Sequence, residues 1–265
     1  YCMPEEGITL LAHDDILSYE EITEIVKVSA RLGFTKIRLT GGEPLVRKGI
    51  VDLVAMLSQI NGINTLAMTT NGTLLEQYAR ELKLAGLMRI NVSLDTLDPE
   101  LYKHITRGGS LERVIAGIEA AQSVGLAVKI NTVILDPQDP AILSLLTATS
   151  DYNTSDIKHA ETYLHEQVKN IEAYAQSIGA EFQRIAQYRL TELKKDYQDY
   201  ERPPACASCN RLRLLADGTL RPCLHSALSV PVDFSDIENS IRRAVSAKPA
   251  RGQHCEDLEI GQIGG

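Results

Sequence analysis

In KIRLTGGE, residues 36–43, a short strand pattern runs directly into a Gly-Gly turn, and this pattern is the main indication of the fold. Within it, Lys36 and Arg38 share one face by strand periodicity. The same arrangement returns at residues 65–72, where TLAMTT is followed by Asn-Gly, and at residues 88–95, where a strand pattern ends in Ser-Leu-Asp. Helical patterns lie between these strands. Such alternation predicts an α/β fold with parallel strands joined by right-handed crossovers.

The remaining elements are predicted from caps and hydrophobic patterns. Ser18 and Glu21 make a capping box that opens a helix, which runs through Arg31 and is stopped by Gly33. Further helices are predicted at residues 50–60, 74–85, 111–124, 157–178 and 237–246. Further strands are predicted at residues 127–135, 141–146 and 182–188.

Polar residues gather where three successive strands end, at residues 40–43, 69–72 and 93–95. In a TIM-like barrel the active site is built at this edge. The alternative is that glycine and asparagine simply make turns, but three such loops in a row favour a site. Asp95 is expected to cap the following helix, and Glu43 is kept as a site candidate.

Composition restricts the class of protein. The 265 residues carry a net charge of −8 and are 44% hydrophobic, which argues against bulk nucleic-acid binding. No apolar run approaches a membrane span, and no signal peptide is visible. Five cysteines, three of them clustered, favour metal binding in a reducing, cytoplasmic compartment over a disulfide framework.

The clustered cysteines are Cys206, Cys209 and Cys223. Three thiolates can hold three corners of a [4Fe–4S] cube and leave one iron open to a ligand. The alternative is a zinc ribbon, in which His225 or Cys255 would supply the fourth ligand. On spacing alone the two interpretations stay open.

The segment between the second and third cysteines is predicted to be a β-hairpin that turns at residues 216–218 and brings the third cysteine back to the first two. Three regions are therefore expected: a barrel core at residues 1–135, a divergent barrel completion and linker at 136–204, and a cysteine module at 205–265.

The combination of YCMP at residues 1–4, GGEPL at residues 41–45 and the cysteine triplet resembles the radical S-adenosylmethionine family, and within it the GTP 3′,8-cyclases of molybdenum cofactor biosynthesis. That family holds its first cluster with Cys-x3-Cys-x2-Cys. Tyr1 and Cys2 match the end of this motif, so its first two cysteines would lie before Tyr1, and the first cluster would be incomplete here.

The resemblance implies a partial (β/α)6 TIM-like barrel with a C-terminal cysteine-rich extension, two [4Fe–4S] clusters and S-adenosylmethionine as cofactor. The first cluster would cleave S-adenosylmethionine reductively. The resulting 5′-deoxyadenosyl radical would start ring closure of GTP, and the C-terminal cluster would bind the guanine at its open iron.

The resemblance also assigns residues to these ligands. Cofactor contacts are implied for Tyr1, Gly42, Glu43 and Ser93, and cluster ligands for Cys2, Cys206, Cys209 and Cys223. Contacts to GTP are implied for Lys36, Arg38, Thr69, Lys129, Arg211, Leu212 and Arg213. A triphosphate requires such cations; the alternatives are a turn residue for Ser93 and a surface lysine for Lys129. The final Gly264-Gly265 matches a family tail that inserts into the cavity.

One departure keeps alternatives open. The family's Arg-Phe-Ile-Glu strand and Met-Pro pair have no counterpart in residues 136–204, where residues 141–146 are the candidate strand. A paralogue with another substrate and a non-catalytic zinc-binding barrel are therefore also considered. The resemblance further implies two protein partners: an electron donor such as a flavodoxin or ferredoxin, and a cyclic pyranopterin monophosphate synthase that takes the product onward. A homodimer is also compatible with the resemblance.

Overall fold

The computed structural model describes residues 15–134, 157–186, 209–223 and 228–249. The helices in these ranges are α1 (Tyr19–Arg31), α2 (Ile50–Ser58), α3 (Leu75–Leu84), α4 (Pro99–Ile105), α5 (Leu111–Ser123), α6 (Ile157–Ser177) and α7 (Ile237–Ser246), with a short 3-10 turn at Pro44–Val46. The strands are β1 (Lys36–Leu39), β2 (Thr65–Thr70), β3 (Arg89–Ser93), β4 (Ala127–Ile134), β5 (Glu181–Ala186), β6 (Arg213–Leu214), β7 (Thr219–Arg221) and β8 (Val230–Pro231).

The predicted α/β class is confirmed, with a five-stranded sheet in the order β1-β2-β3-β4-β5. The capping box at Ser18 and Glu21 forms as expected, with Glu21 N–H donating to the Ser18 hydroxyl and Ser18 N–H donating to the Glu21 carboxylate. The predicted strand at residues 141–146 lies outside the described residues. Among the described strands, β5 pairs with the edge of β4 that faces away from β3.

The chain divides into two compact units. The first contains residues 1–42, 52–66 and 201–265, and the second contains residues 43–51 and 67–200. Within the second unit, β2 through β5 pair in parallel. Side chains on one face of these strands are apolar and fully buried, as at Met68, Ile90 and Ile130. Helices α5 and α6 pack on β4, so burial of this apolar face holds the unit together.

The first unit has its own hydrophobic cluster. Buried side chains of α1, β7, β8 and α7 pack together there: Val28, Leu220, Val230, Ile241 and Ala244. The predicted hairpin is confirmed, with β6 and β7 antiparallel and Arg213 opposite Arg221. Strand β8 adds to the other edge of β7. Among the described helices, none is long and apolar enough to cross a membrane.

Candidate functional site

The second face of the parallel sheet carries an uninterrupted row of polar side chains. Strand register places Thr69 beside Asn91, Asn91 beside Lys129, and Lys129 beside Glu181. Since neighbouring residues in register point to the same face, these four side chains cross four strands in one row. A second row lies nearer the carboxyl ends of the strands, where Ser93, Asn131 and Gln183 are in register. Such rows of hydrogen-bonding groups suit a ligand better than a packed apolar interior does.

Asn91 is the buried centre of the first row, at 1% exposure. Its side-chain amide donates to the Thr69 hydroxyl at 3.2 Å. Within the described residues, Oδ1 of Asn91 and Oδ1 of Asn131 are buried without a hydrogen-bond partner. A buried acceptor left unsatisfied costs about 1–3 kcal/mol, so both oxygens are suited to a hydrogen-bond donor on a bound ligand. Asn91 was not predicted from the sequence, although strand periodicity places it on the same face as Ser93.

Lys129 shares the carboxylate of Glu181 with Arg89. The guanidinium of Arg89 makes a two-pronged contact with Glu181 at 2.6 and 3.1 Å, whereas Nζ of Lys129 lies 4.0 Å from the same carboxylate. The Lys129 side chain is only 20% exposed. Lys129 is therefore not the surface lysine of the alternative interpretation.

Glu43 ties the loop after β1 to the end of β2. One carboxylate oxygen accepts from the Thr70 hydroxyl at 2.7 Å and from Leu45 N–H at 3.0 Å, and the other accepts from Asn71 N–H at 2.7 Å. These contacts give Glu43 the role of positioning the strand-end loops, including the cap of the 3-10 turn.

The Gly-Gly turn is open. Gly41 has a φ of +151°, a conformation that favours glycine. A Cβ added to Gly42 would meet no described atom within 4 Å. Ser93 is exposed at the end of β3, and in the part of the chain described here its hydroxyl makes no hydrogen bond. Both positions are therefore accessible to a ligand.

The expected helix-capping role of Asp95 is wrong. Asp98 is the residue that caps α4, accepting from the backbone N–H groups of Glu100 and Leu101. Asp95 instead accepts from Val133 N–H at 2.7 Å and so connects the ends of β3 and β4. Burial, reinforced by the Asp95 charge, raises the pKa of Tyr102 to about 12.

The first unit holds a second group of candidate site residues, around the cysteine hairpin. Burial lowers the pKa of Arg213, and repulsion from Arg211 and Arg38 lowers it further, while Cys209 and Cys223 oppose this change. Arg38, predicted on β1, therefore lies close enough to Arg213 for their charges to interact. Lys36, also on β1, is exposed, and Leu212 is partly buried against the hydrophobic cluster of this unit.

Arg221 adds to this positive charge. It is 4% exposed and directly opposite Arg213 in the hairpin, and within the described residues its Nη1 has no hydrogen-bond partner. Like charges facing each other across strands are destabilising by themselves. A negatively charged ligand or cluster would offset this repulsion.

The structure shows Cys209 and Cys223 as partly buried thiols. Within the described ranges, no three metal-ligating side chains lie together. Several predicted site residues are outside these ranges: Tyr1, Cys2, Cys206, His225, Cys255, Gly264 and Gly265. Two soft thiols beside guanidinium groups fit an iron–sulfur or zinc site.

Two polar rows on one face of a parallel sheet, and a cysteine hairpin rich in arginine, indicate an enzyme with a TIM-like barrel. The family model described as Radical SAM superfamily matches residues 1–145. A GTP 3′,8-cyclase of Peptoclostridium acidaminophilum is 42% identical over 264 residues, covering 92% of this chain and 79% of the relative. The GTP 3′,8-cyclase of Thermodesulfovibrio yellowstonii is 37% identical and covers all of this chain and 92% of the relative. The chain therefore belongs to the radical SAM superfamily and, within it, to the family of the GTP 3′,8-cyclases.

Two solved structures support the fold at low identity. Native anSMEcpe with bound AdoMet aligns with a TM-score of 0.51 at 14% identity, over 94% of this chain and 79% of that chain. SuiB of Streptococcus suis bound to S-adenosylmethionine aligns with a TM-score of 0.51 at 16% identity, over 85% and 61%.

Proposed function

We propose that this chain converts GTP to (8S)-3′,8-cyclo-7,8-dihydroguanosine 5′-triphosphate, the first step of molybdenum cofactor biosynthesis. The observation that carries the proposal is the extent of the identity to GTP 3′,8-cyclases, which spans the barrel and the cysteine hairpin together. The arginine side chains of the hairpin support it, because they supply positive charge for an anionic nucleotide.

The nucleotide is assigned to two groups of side chains. Arg38, Arg211 and Arg213 would donate hydrogen bonds to GTP, and the partial burial of Arg213 strengthens its contact relative to an exposed one. In the second unit, Thr69 and Lys129 lie in the polar row of the sheet. Nζ of Lys129 lies 4.0 Å from the Glu181 carboxylate. A phosphate of GTP could compete with this carboxylate for the Lys129 ammonium group.

S-adenosylmethionine is assigned to Gly42, Ser93 and Tyr1, and Cys2 is assigned to the first cluster as a ligand. Open space at Gly42 lets a cofactor approach the backbone closely. The Ser93 hydroxyl stands exposed at the strand end and can donate to or accept from the cofactor. Glu43 would act indirectly, by holding the loops at Thr70 and Asn71 in place. When bound, the first cluster supplies the electron that cleaves the cofactor.

A second [4Fe–4S] cluster is assigned to Cys206, Cys209 and Cys223. The two described thiols and the buried, unpartnered Nη1 of Arg221 fit a negatively charged thiolate-bound group at this hairpin. Three protein thiolates leave one iron able to accept a ligand atom from the substrate. A flavodoxin or ferredoxin as electron donor, a cyclic pyranopterin monophosphate synthase as the next enzyme, and a cytoplasmic location complete the proposal.

The test is anaerobic reconstitution of this chain and of a form extended N-terminally, followed by iron and sulfide analysis, EPR with and without GTP, and product analysis with S-adenosylmethionine. About four irons in this chain and about eight in the extended form, an EPR signal perturbed by GTP, and formation of the cyclised nucleotide by the extended form are expected. A brown protein with broad absorbance near roughly 400 nm is expected on the same grounds.

One result would contradict the second cluster, and another would contradict GTP as the substrate. Zinc in place of iron at Cys206, Cys209 and Cys223 would remove the second cluster and favour the zinc-binding barrel. Clusters that form but ignore GTP, with S-adenosylmethionine still cleaved, would indicate a paralogue that acts on another substrate.

A further inference from the structure

Lys248 lies just beyond the end of α7, and its ammonium group contacts both segments that carry the described cysteines. Its Nζ donates to the carbonyl oxygen of Arg211 at 2.5 Å and to that of Pro222 at 2.8 Å. The same Nζ lies 3.9 Å from Sγ of Cys209. Since a lysine ammonium has three donors, these contacts use all of them.

The position of this ammonium is set by the packing of α7. Ile241 and Ala244 of this helix are almost fully buried in the hydrophobic cluster that also contains Leu220 of β7. The helix and the hairpin strand are therefore held together by apolar burial. Lys248 follows the C-cap residue Ala247, where a positive charge is also favoured by the helix dipole.

The two carbonyl groups are ones that the hairpin itself leaves without a ladder partner. The β6–β7 pairing ends at Arg213 and Arg221, so Arg211 and Pro222 lie beyond the last rung. Pro222 directly precedes Cys223, and Arg211 lies two residues after Cys209. One ammonium thus joins the two chain segments at the point where each presents its thiol.

We propose that Lys248 is a positioning residue for the C-terminal cluster. It holds the segments of Cys209 and Cys223 together and donates an N–H to the sulfur of Cys209. This inference rests on the second cluster of the proposed function. Hydrogen bonds to cluster sulfurs and net charge help to set the reduction potential, so the contact raises that of this cluster. Losing such an outer partner weakens metal binding by roughly 10–100-fold.

The test uses full-length protein reconstituted anaerobically as wild type, Lys248→Met and Lys248→Arg. Lys83→Met is the matched control, because Nζ of Lys83 also donates to a backbone carbonyl, that of Gly125 at 2.7 Å, but in the other unit. The EPR signal absent from Cys209→Ala identifies the C-terminal cluster. The readouts are its potential in a redox titration, its iron release to a chelator, and the melting temperature of the cluster-free protein.

We expect Lys248→Met to shift this potential to a more negative value and to speed iron release about tenfold, with Lys248→Arg between it and the wild type. Lys83→Met should change neither. Wild-type potential and iron release in Lys248→Met would overturn the proposal, as would a melting-temperature loss with an unchanged potential, which marks a purely structural lysine. A wild type without iron at this hairpin would instead refute the second cluster itself.

Discussion

Among single residues, Gly42 can be tested for a role in cofactor binding that is independent of its role in folding. A methyl group at this position meets no described atom, so Gly42→Ala should leave the melting temperature unchanged. If the cofactor approaches the backbone there, the same methyl should weaken binding of S-adenosylmethionine. Calorimetric titration with the cofactor and a thermal melt measure the two effects independently.

Gly72→Ala is the control for this substitution. Gly72 has a φ of +82°, and its added Cβ would lie 3.0 Å from both Val92 and Val114. A left-handed conformation costs a non-glycine residue about 1–2 kcal/mol, so this variant should lose stability. Equal loss of stability in both variants would show that Gly42 is required for folding instead of cofactor binding.

At Asn91, we expect a substitution to weaken ligand binding without lowering the stability of the protein. The buried Oδ1 of Asn91 has no described hydrogen-bond partner in the ligand-free protein, so an apolar residue of similar size removes an unsatisfied acceptor and loses only the 3.2 Å hydrogen bond to the half-buried Thr69 hydroxyl. Asn91→Leu should therefore melt at the same or a higher temperature while binding GTP or S-adenosylmethionine about tenfold more weakly. A lower melting temperature with unchanged binding would assign Asn91 to the fold alone.

At the scale of elements, the contact between α3 and α5 depends on a glycine within α5. A Cβ at Gly117 would lie 2.6 Å from the carbonyl oxygen of Gly72 and 2.9 Å from Cβ of Leu75. Backbone cannot yield as a flexible side chain can, so Gly117→Ala should destabilise the protein by about 1–3 kcal/mol. Urea unfolding at constant m-value measures this loss.

The neighbouring Ala116→Gly variant is the control for Gly117→Ala, because it changes the same helix without adding a Cβ. Ala116 is partly buried in the same helix, and glycine there removes a methyl and lowers helix propensity by about 1 kcal/mol. If Gly117→Ala were as stable as wild type, the two helices would have to pack less closely than the structure shows.

The strands and long helices could be predicted from sequence because local patterns specify them. Strand β2 and helix α7 have the predicted bounds, since caps and buried runs coincide with their ends. The seven-residue α4 was missed because it is too short for helical periodicity, although Asp98 followed by proline is a helix-start signal. Strand β8 has two residues and is formed by tertiary pairing with β7.

The candidate site residues were predicted from residue type, from their position at strand ends and from the family resemblance, and their roles stay predictions. Arginine and cysteine in the hairpin, and lysine in a strand, are conspicuous in sequence. Asn91 and Asn131 gain their meaning from register across strands and from an unsatisfied acceptor, which are properties of the folded sheet. Lys248 is distant in sequence from Cys209, and nothing local connects the two residues.

At the scale of the whole molecule, a net charge of −8 opposes binding of a polyphosphate, so GTP must rely on local cations. The arginine group around Arg213 supplies them. Arg213→Ala should weaken GTP binding about tenfold, because charge-assisted hydrogen bonds contribute about 1.5–3 kcal/mol each. Guanosine, which lacks phosphates, should lose less affinity, and salt should affect the variant's binding to GTP less than it affects the wild type.

Arg242→Ala provides the matched control in the same unit. Arg242 is an exposed arginine on α7 paired with Glu238, so its loss changes the net charge equally without touching the hairpin. Binding titrations of GTP and guanosine at several salt concentrations compare the two variants. If Arg242→Ala weakened GTP binding as much as Arg213→Ala did, overall charge would govern recognition. A selective effect of Arg213→Ala would instead assign the triphosphate to the hairpin, against the field of the rest of the protein.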